Sequence, residues 1–409
     1  MKFKAYMVGG AVRDKLLGIP IKDKDWVVVG ATPEEMLQAE FKPVGKDFPV
    51  FLHPQTKEEY ALARTEKKQG KGYRGFVFYS SPTVSLEEDL RRRDITINAI
   101  AQDEQGTLVD PYNGQQDIKD KIIRHTSPAF VEDPLRVLRV ARFAAQFSHL
   151  GFTLADETQK LLASMTNELS TLSAERIWVE THKALVCDSP QVFFETMQKA
   201  GALGHWFPEL ERLFGIPQPA HHHPEIDCGI HTMLVLHQSA LLTDDVSVRF
   251  AALTHDLGKG LTPKDILPSH HGHEERGVPL VKQLCERLLV PKDMAQLAEL
   301  CCRYHTHSHT CKELRPATIM KVFNAFDLWR RPQRFANFLL LCKSDSRGRT
   351  GSEDSQYTRG DYFAKVAAAA RSVNVQEVIA GLPEDKIADA IGKARLKAVS
   401  DFAAANSAS

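Results

Sequence analysis

The sequence predicts an α+β protein, with a mixed β-sheet in its N-terminal part and helices in the remainder. Over the first hundred or so residues, short β-branched and aromatic runs alternate with helical patterns. From about Asp133 onward, apolar residues recur with helical spacing. Twelve of the seventeen histidines lie between His221 and His309, so this window is expected to hold a site that needs imidazole.

The N-terminal elements are predicted from β-branched runs and from the glycine that ends a short helix. Strands are expected at Tyr6–Val8, Trp26–Val29, Glu59–Ala63, Phe76–Tyr79 and Thr107–Val109, and a helix at Ala11–Leu17.

The rest of the chain is predicted to be helical, with two interruptions. The segment Ile216–Asp227 carries three prolines within eight residues, which indicates a linker. Helices resume from Ile230 to Lys343, and a polar stretch, Ser344–Gly360, precedes an alanine-rich helical tail. The predicted domains are residues 1–132, 133–215, 228–345 and 346–409.

The composition is that of a globular protein of 409 residues, long enough for two or three domains. No apolar stretch approaches the roughly 20 residues of a membrane span, and the N-terminal apolar run is too short for a signal peptide. A cytoplasmic protein without membrane contact is therefore expected. Seven cysteines without a Cys-x-x-Cys pair favour reduced thiols. Balanced charges, 52 basic against 52 acidic residues, neither indicate nor exclude a nucleic-acid partner.

A candidate anion-binding turn begins where the first strand ends. The adjacent Gly9 and Gly10 allow a tight turn and a close approach of ligand to backbone. The N–H groups of the following helix start would face an anion, and Arg13 could add a bidentate phosphate contact. Taken alone, the same pattern also describes an ordinary turn.

Asp23 and Asp25 favour the functional interpretation of that turn. Residues i and i+2 of a strand share a face, with Cα atoms about 6.6 Å apart. Two carboxylates so placed can hold two Mg²⁺ ions, which orient an attacking hydroxyl and stabilise a leaving pyrophosphate. Asp-x-Asp is also common on solvated strand ends. The glycine turn shortly upstream makes the metal-binding interpretation the better one.

Five motifs follow one another over residues 1–215. They are Gly9-Gly10-x-x-Arg13-Asp14-x-x-Leu17-Gly18-x-x-x-x-Asp23-x-Asp25, Arg92-Arg93-Asp94-Ile95-Thr96-Ile97-Asn98-Ala99, Asp110-Pro111-Tyr112-Asn113-Gly114, Glu132-Asp133-Pro134-Leu135-Arg136-x-x-Arg139-x-x-Arg142-Phe143 and Glu175-Arg176-Ile177. In this order they resemble the class II tRNA nucleotidyltransferases of the polymerase β superfamily. The whole chain resembles the bacterial multifunctional CCA-adding branch of that family, which appends an HD domain. The resemblance implies a nucleotidyltransferase head, a helical neck and body that select the nucleotide and bind tRNA, and an all-α HD domain.

A stripe of charged residues is predicted along the helix that follows Pro134. Asp133, Arg136, Arg139 and Arg142 are spaced three apart. A solvated charged face is the commoner reason for such a stripe, but three arginines with no interleaved acid would repel one another unless an anion lay over them. The resemblance implies that Asp133 and Arg136 read the Watson–Crick edge of CTP or ATP. Arg139 and Arg142 would assist in positioning the nucleotide and its phosphates.

Other residues of this half receive roles from the resemblance. Gly10, Arg13 and Arg93 are expected to contact the nucleotide, Arg93 at the triphosphate, while Asp94 is expected to be a structural partner. Glu59 is a candidate third metal carboxylate, or equally a surface residue. A basic stretch rich in glycine is expected to be either a mobile loop near the primer end or a solvated loop. Its residues are Lys67, Lys68, Gly70, Lys71, Gly72 and Gly75.

The histidine-rich window contains His231, the adjacent pair His255-Asp256, and Asp345. One His-Asp dipeptide alone would more often belong to a helix cap or a core, but the concentration of histidines argues against that. The pattern resembles the HD phosphohydrolase superfamily, which implies that these four residues are metal ligands. Candidate ligands for a second metal or a phosphate are His271, His273 and His305. Lys259 is expected near a substrate phosphate, and His221–His223 on the surface.

The predicted activity is template-independent addition of CCA to tRNA 3′ ends from CTP and ATP, with Mg²⁺ as cofactor and release of pyrophosphate. The resemblance further implies phosphatase, 2′-nucleotidase and 2′,3′-cyclic phosphodiesterase activity in the HD domain, with Ni²⁺ favoured over Co²⁺ or Mn²⁺. One alternative is a poly(A) polymerase, although the tail lacks the long basic extension usual there. The other is a metal-dependent RNA-binding module with an inactive HD domain, against which Asp23 and Asp25 argue. A monomer, or also a homodimer, is expected.

Overall fold

A computed structural model of the chain describes residues 3–44, 50–68 and 76–406. The chain forms two compact units. The first comprises Met1–Ala184 with Val192–Trp206, and the second comprises Leu185–Gln191 with Phe207–Ser409. Among the described residues, no helix combines the length and the apolar character that crossing a membrane would require.

All strands of the described residues lie in the first unit. They are β1 (Lys4–Val8), β2 (Asp25–Val29), β3 (Lys42–Val44), β4 (Val50–Leu52), β5 (Glu59–Leu62), β6 (Arg64–Lys68), β7 (Phe76–Ser80), β8 (Ala101–Gln102), β9 (Leu108–Val109), β10 (Ile122–Ile123) and β11 (Thr153–Leu154). Seven of them form one sheet in the order β3-β4-β5-β2-β1-β8-β9. The β2–β5 pair is parallel and the other pairs are antiparallel, so the sheet is mixed, as predicted.

Helices make up most of the remaining chain. They are α1 (Gly10–Leu17), α2 (Pro33–Gln38), α3 (Leu86–Arg91), α4 (Gly114–Asp120), α5 (Leu135–Phe147), α6 (Asp156–Ser164), α7 (Ala174–Val186), α8 (Gln191–Lys199), α9 (Leu203–Trp206), α10 (Pro208–Glu211), α11 (Cys228–Leu242), α12 (Val246–Thr254), α13 (His273–Leu288), α14 (Lys292–His309), α15 (Pro316–Ala325), α16 (Pro332–Arg347), α17 (Thr358–Arg371), α18 (Val375–Ile379) and α19 (Glu384–Ala405). A mixed sheet followed by helices confirms the predicted α+β fold class.

The alternation of β2 determines which side of the sheet carries the candidate site. Val27 packs on one face with Val8 and Leu90, whereas Val28 packs on the other face with Met36. Because successive side chains of a strand point to opposite faces, Asp25 shares the face of Val27. This is the face on which α3 and the segment after it are packed.

The second unit has a large hydrophobic core that is rich in aromatic residues. Phe323, Phe326 and Phe338 are fully buried, and Val366 of α17 and Val399 of α19 belong to the same cluster. The alanine-rich tail therefore packs with the helices that precede it. The predicted boundary between residues 345 and 346 stays a prediction. The predicted polar stretch after residue 343 is partly helical, since α16 runs on to residue 347.

The proline-rich segment 216–227 lies within the second unit and does not connect the two units. Pro217 forms a β-bridge with Asp227, and the Gln218 N–H donates to the Ile226 carbonyl at 2.8 Å. The prolines therefore shape a folded loop. Closely spaced prolines predict an interruption between helices, but they do not distinguish a linker between domains from a folded loop within one domain.

Candidate active sites

The glycine turn brings an arginine against the backbone. β1 ends at Val8 and α1 begins at Gly10, with Gly9 between them at φ 68°. A Cβ atom at Gly9 would lie 2.9 Å from Nη1 of Arg93. Glycine is thus required here for its positive φ and for the close approach of the guanidinium. The Arg93 guanidinium also lies 3.3 Å from Asp89, and its Nε is buried without a hydrogen bond among the described residues.

The paired aspartates are arranged differently from the prediction. Asp25 is the first residue of β2, whereas Asp23 lies in the irregular segment before it, so the two do not share a strand. The ladder starts at Asp25 because its partner, Val8, is the last residue of β1 before the chain turns into α1. Both carboxylates are exposed. Partial desolvation raises the pKa of Asp25, Arg93 opposes this shift, and the charge of Asp23 adds to it.

The surroundings of Asp23 and Asp25 fit divalent cations. Two neighbouring carboxylates that disfavour each other's ionisation are relieved by a cation between them. Glu59 pairs with Asp25 in the parallel register of β2 and β5. In the described part of the chain, however, these three carboxylates do not converge as one group of metal-ligating atoms. The role of Glu59 as a third ligand stays a prediction.

The predicted basic stretch is only partly described. Lys67 and Lys68 belong to β6, which pairs with β7. Gly70, Lys71, Gly72 and Gly75 lie outside the described residues.

A cationic cleft of about 370 Å³ lies in the first unit. Six arginines and two aspartates contribute to its lining. The lining residues are Gly9, Arg64, Arg92, Arg93, Asp94, Asn98, Asp133, Leu135, Arg136, Arg139 and Arg176. Of the predicted nucleotide-binding residues, it brings together Arg93, Asp133, Arg136 and Arg139. A cleft with this excess of guanidinium groups can accept a polyanion such as a triphosphate.

Two of the arginines of α5, Arg139 and Arg142, pair with acids from other elements, which the spacing along α5 did not suggest. Arg139 Nε donates to Asp94 at 2.7 Å, and Arg142 Nε donates to Glu180 at 2.6 Å. Arg136 is 5% exposed and donates to the carbonyls of Ala129 and Arg92. These acids are distant in sequence, so the spacing on α5 could not reveal them. Arg142 is buried and does not line the cleft, and its part in positioning the nucleotide stays a prediction.

Asp94 is the structural partner that the sequence predicted. Burial alone would raise the pKa of Asp94, but the Arg139 guanidinium and a hydrogen bond from Asn98 hold it well below its usual range. The carboxylate therefore stays ionised and fixes Arg139 at the cleft wall. The same asparagine accepts from Arg13, which joins the glycine helix to this network.

Arg13 is engaged within the protein. It is 6% exposed, its Nε donates to Asp14 at 2.8 Å and its Nη1 to Asn98 at 2.6 Å, and it lies over the Phe147 ring. Arg13 thus pairs with Asp14, where the sequence suggested a phosphate. Neither Arg13 nor Gly10 lines the cleft, and their direct contact with a nucleotide stays a prediction.

Asp133 is held at the cleft by a residue to which the sequence analysis gave no role. Its Oδ2 accepts from Arg176 Nη2 at 3.0 Å, and its Oδ1 accepts from the Leu135 N–H. Arg64, Arg92 and Asn98 also line the cleft without having been singled out. Arg92, Asn98 and Arg176 lie inside the quoted motifs, and this was the signal that could have identified them.

The second candidate site lies in the second unit, hereafter the HD unit after the resemblance noted above, where four histidines present the same ring nitrogen to two carboxylates. The Nδ1 atoms of His255, His273 and His305 lie 2.8–3.2 Å from main-chain carbonyls. Nδ1 of His231 lies 3.2 Å from the Gly348 carbonyl. Because a carbonyl only accepts, each Nδ1 donates to its carbonyl, and each Nε2 is the ring atom that faces a carboxylate or could face a metal ion.

These Nε2 atoms converge on Asp256 and Asp345 in two groups. His231, His255 and Asp345 form one group, and Asp256, His273 and His305 form the other, with the ligand atoms of each group within 4.8 Å of one another. Asp256 Oδ2 lies 3.2 Å from His255 Nε2, while its Oδ1 lies 3.2 Å from His273 Nε2. One carboxylate thus faces both groups.

The donor atoms fit bound metal ions. His273 Nε2 and His305 Nε2 are only 3.2 Å apart, so the two imidazoles present these nitrogens to the same small volume. His255 Nε2 and Asp256 Oδ1 are buried and form no hydrogen bond within the described residues. Buried polar atoms normally have partners. Imidazole and carboxylate ligands suit divalent transition metals, and the protonated Nδ1 atoms supply the outer hydrogen bonds that orient such ligands.

The pKa shifts agree with this interpretation. Burial alone would raise the pKa of Asp256, but the His255 imidazole and the Lys259 ammonium lower it well below its usual range. Burial would lower the pKa of His231, but hydrogen bonds to Asp345 and Glu225 raise it. The site therefore keeps its carboxylates ionised and attracts positive charge, as a metal site must.

Several predicted residues of this site lie elsewhere than expected. His271 is exposed on the rim and belongs to neither group of ligand atoms. Lys259 is 6% exposed, lies 2.6 Å from Asp256 and lines the same cleft, so its contact with a substrate phosphate stays a prediction. His309 was not predicted as a site residue, yet its Nε2 lies 2.6 Å from Asp345 Oδ2.

The expectation that His221–His223 are surface residues is wrong for His223. This residue is 9% exposed, its ring centroid lies 4.6 Å from that of His231, and its Nδ1 lies 2.9 Å from Glu225 Oε1. Burial lowers the pKa of His223 to about 3, with the charges of His231 and Lys259 adding to the effect. Glu225 also lies 3.0 Å from Nδ1 of His231, so the proline-rich loop supplies an outer partner to a predicted metal ligand.

Family models match three stretches of the chain. One described as the poly A polymerase head domain matches residues 5–124, and one described as a probable RNA and SrmB-binding site of polymerase A matches residues 151–214. One described as the HD domain matches residues 229–329. Together they cover both candidate sites.

The chain is similar to solved structures of CCA-adding enzymes and to a multifunctional CCA protein. Among solved structures, the Bacillus stearothermophilus CCA-adding enzyme in complex with CTP has a TM-score of 0.60 at 24% identity, covering 97% of this chain and 89% of the other. The Thermotoga maritima CCA-adding enzyme complexed with tRNA-CCA has a TM-score of 0.61 at 18% identity, covering 98% and 91%. These likenesses show a shared fold. A multifunctional CCA protein of Pasteurella multocida, strain Pm70, is 55% identical over 404 residues, covering 97% of this chain and 96% of the relative. At that identity and coverage, the chain belongs to the family of multifunctional CCA proteins.

Proposed function

We propose that the first unit adds the terminal CCA to tRNA 3′ ends from CTP and ATP and releases pyrophosphate. The observation that carries this proposal is the arginine-lined cleft, because it places Arg93 between a glycine turn and the exposed carboxylate of Asp25. A nucleoside triphosphate in the cleft would lie beside the two carboxylates predicted to hold Mg²⁺. The relatives named above, with CTP or tRNA in their descriptions, support the same substrates.

The acidic and basic residues in and beside the cleft would have different roles. Asp23 and Asp25 would hold Mg²⁺, which when bound stabilises charge on the transferred phosphoryl group and on the leaving pyrophosphate. Arg93, whose Nε has no partner in the described chain, would bind the triphosphate. Asp133 would accept from the exocyclic amine that cytosine and adenine share, and Arg136 would donate to ring acceptors. Bases without an amine at that position would lose this hydrogen bond to Asp133.

The proposal is tested with tRNA that lacks its 3′ terminus, labelled CTP or ATP, and Mg²⁺, with the product sized on a gel. Addition that stops at CCA supports the proposal. Long runs of adenosine would indicate the poly(A) polymerase alternative, and no addition would contradict both.

Replacing Asp133 with asparagine is expected to relax the choice of base. The amide would offer N–H groups where the carboxylate accepted, so one hydrogen bond worth about 1–3 kcal/mol is lost for the correct bases. This corresponds to a roughly five- to hundredfold loss of preference for CTP and ATP. Competition among all four nucleoside triphosphates on trimmed tRNA measures it.

The matched control is Asp156→Asn, at an exposed acid that begins α6 outside the cleft. Its selectivity should be that of the wild type. Arg136→Ala is a less clean variant, because it also removes hydrogen bonds to two main-chain carbonyls. If both Asp133→Asn and Arg136→Ala kept full selectivity, another segment would have to read the base.

We further propose that the HD unit is a metal-dependent phosphohydrolase acting on phosphomonoesters, including 2′-nucleotides, and on 2′,3′-cyclic phosphates. The convergence of four Nε2 atoms on Asp256 and Asp345 carries this proposal. The bound metal, for which imidazole ligands favour Ni²⁺, Co²⁺ or Mn²⁺ over Mg²⁺, lowers the pKa of water and supplies hydroxide at neutral pH. In the hydrolysis the water oxygen bonds to phosphorus, the ester P–O bond breaks, and the ribose oxygen leaves with a proton. Purified protein with those metals, assayed on a phosphatase substrate and a 2′,3′-cyclic nucleotide, tests it.

Replacing Glu225 with glutamine is expected to weaken metal binding without abolishing it. Glu225 lies 3.0 Å from His231 Nδ1, and outer partners of ligating histidines typically contribute ten- to a hundredfold in metal affinity. Calorimetric titration of the metal-free protein with Ni²⁺ measures the loss of metal affinity. Glu353→Gln, at an exposed acid of the same unit, is the control. Equal affinity in Glu225→Gln and wild type would mean that Gly348 alone orients His231.

A further inference from the structure

Arg349 is an arginine without a partner at the mouth of the HD site. It follows Gly348 just beyond α16, is partly buried, and lines the cleft that holds Asp256 and Asp345. Its Nε is buried and forms no hydrogen bond, and no carboxylate lies within ion-pair distance of its guanidinium, as far as the described residues go. Neighbouring arginines do have partners: Arg347 donates to the Ser355 carbonyl, and Arg359 pairs with Glu313.

A second cavity adjoins the metal cleft at this residue. It has a volume of about 420 Å³, compared with about 290 Å³ for the metal cleft, and the two share His222, His309 and Arg349. Its lining is His222, His309, Ser346, Arg349, Gln356, Tyr357, Thr358 and Arg359. No carboxylate is among these residues, whereas the metal cleft is lined by Asp256, Glu274 and Asp345. The metal cleft is thus built for cations, and its neighbour for an anion.

The two cavities together suit a ligand with two phosphates. The reacting phosphate must reach the two groups of metal ligands. The guanidinium of Arg349 lies between this position and the second cavity, which has no acid in its lining. It would therefore contact a second anion placed in that cavity. A mononucleotide with one phosphate would fill the metal cleft and leave the second cavity unused.

We propose that the second cavity binds the phosphodiester on the 5′ side of the reacting nucleotide, with Arg349 as its main contact, so that the HD unit acts on the 3′ end of an RNA strand in preference to a free mononucleotide. This rests on the proposed phosphohydrolase function. An RNA 3′ end that bears a terminal 2′-, 3′- or 2′,3′-cyclic phosphate also carries such a phosphodiester one ribose away. Arg349 is therefore a specificity-determining residue, and the hydrolysed bond is that of the terminal phosphate.

The test compares adenosine 2′,3′-cyclic monophosphate with the dinucleotide that carries the same cyclic phosphate at its 3′ end. In the Ni²⁺-loaded wild type, kcat/KM should be about tenfold to a hundredfold higher for the dinucleotide, mainly through KM, because a charge-assisted hydrogen bond contributes to binding. In Arg349→Gln this ratio should fall towards one. Arg371→Gln, which removes an exposed charge from the same unit, should retain the wild-type ratio.

A binding measurement separates the subsite from the hydrolase activity. Calorimetric titration of metal-free protein with the dinucleotide product bearing a 3′-phosphate should show, in Arg349→Gln, a loss of affinity of about tenfold or more. Equal kcat/KM for the two substrates in the wild type, or a ratio that survives in Arg349→Gln, would overturn the subsite. If neither substrate were hydrolysed, the phosphohydrolase proposal would fall, and the titration would decide the subsite: unchanged affinity in Arg349→Gln would overturn it.

Discussion

Replacing Asp25 with asparagine is expected to reduce nucleotide incorporation about a thousandfold or more. A metal that neutralises developing charge on the phosphoryl group is worth several kcal/mol in the transition state, and each 1.36 kcal/mol corresponds to a factor of ten in rate. Asp25 lies at the start of β2, on the sheet face covered by α3, and it feels the charges of both Arg93 and Asp23. The amide keeps the shape of the side chain and removes the charge that would hold Mg²⁺.

The fold should survive this substitution. Partial desolvation raises the pKa of Asp25; Arg93 opposes this shift and the charge of Asp23 adds to it. Ionisation of Asp25 is therefore less favourable in the folded protein, and it opposes folding at pH values above the ordinary pKa of an aspartate. An uncharged residue there should leave the melting temperature unchanged or slightly higher at neutral pH.

Two further variants sharpen the assignment of Asp25. Asp120→Asn, at an exposed acid of α4, should incorporate nucleotides like the wild type. Glu59→Gln separates a third ligand from a surface residue by the size of its loss. Incorporation near the wild-type rate in Asp25→Asn would refute the metal-binding role.

The sequence predicted the elements that local chemistry determines. The glycine turn, the strand that follows Asp25 and the helix that follows Pro134 lie where β-branched runs, glycine and proline indicated. Asp23 was misplaced because a strand needs a partner, and β1 ends opposite Asp25. Two- and three-residue strands such as β3 and β10 carry too few residues for any alternation to be read.

Contacts between distant residues could not be predicted from spacing. Asp94 and Glu180 compensate the arginines of α5 across 45 and 38 residues. In the HD site, the four predicted metal ligands are brought together. The roles of Glu225 and Arg349, however, depend on how loops fold over that site, which residue spacing does not show. A charged or imidazole side chain in a loop is usually solvated. Only the folded structure shows which of these side chains are buried against a site.

Replacing His255 with glutamine is expected to reduce phosphohydrolase activity about a thousandfold while leaving CCA addition within about twofold of the wild type. His255 is fully buried, its Nδ1 is fixed by the Ala252 carbonyl, and its Nε2 has no hydrogen bond in the described chain. The imidazole therefore serves the proposed metal more than it serves packing, and its loss should reduce the Ni²⁺ content measured by mass spectrometry.

The reciprocal comparison makes the assignment of the two activities to two units testable. Asp25→Asn should lose incorporation and keep hydrolysis, because Asp25 belongs to the first unit and His255 to the second. His237→Gln, at a partly buried histidine of α11 outside both groups of ligand atoms, should keep both activities and the full metal content. If His255→Gln retained its metal and its hydrolysis of 2′,3′-cyclic nucleotides, the convergence of imidazoles on Asp256 would have to be structural. The HD unit would then be an RNA-binding support.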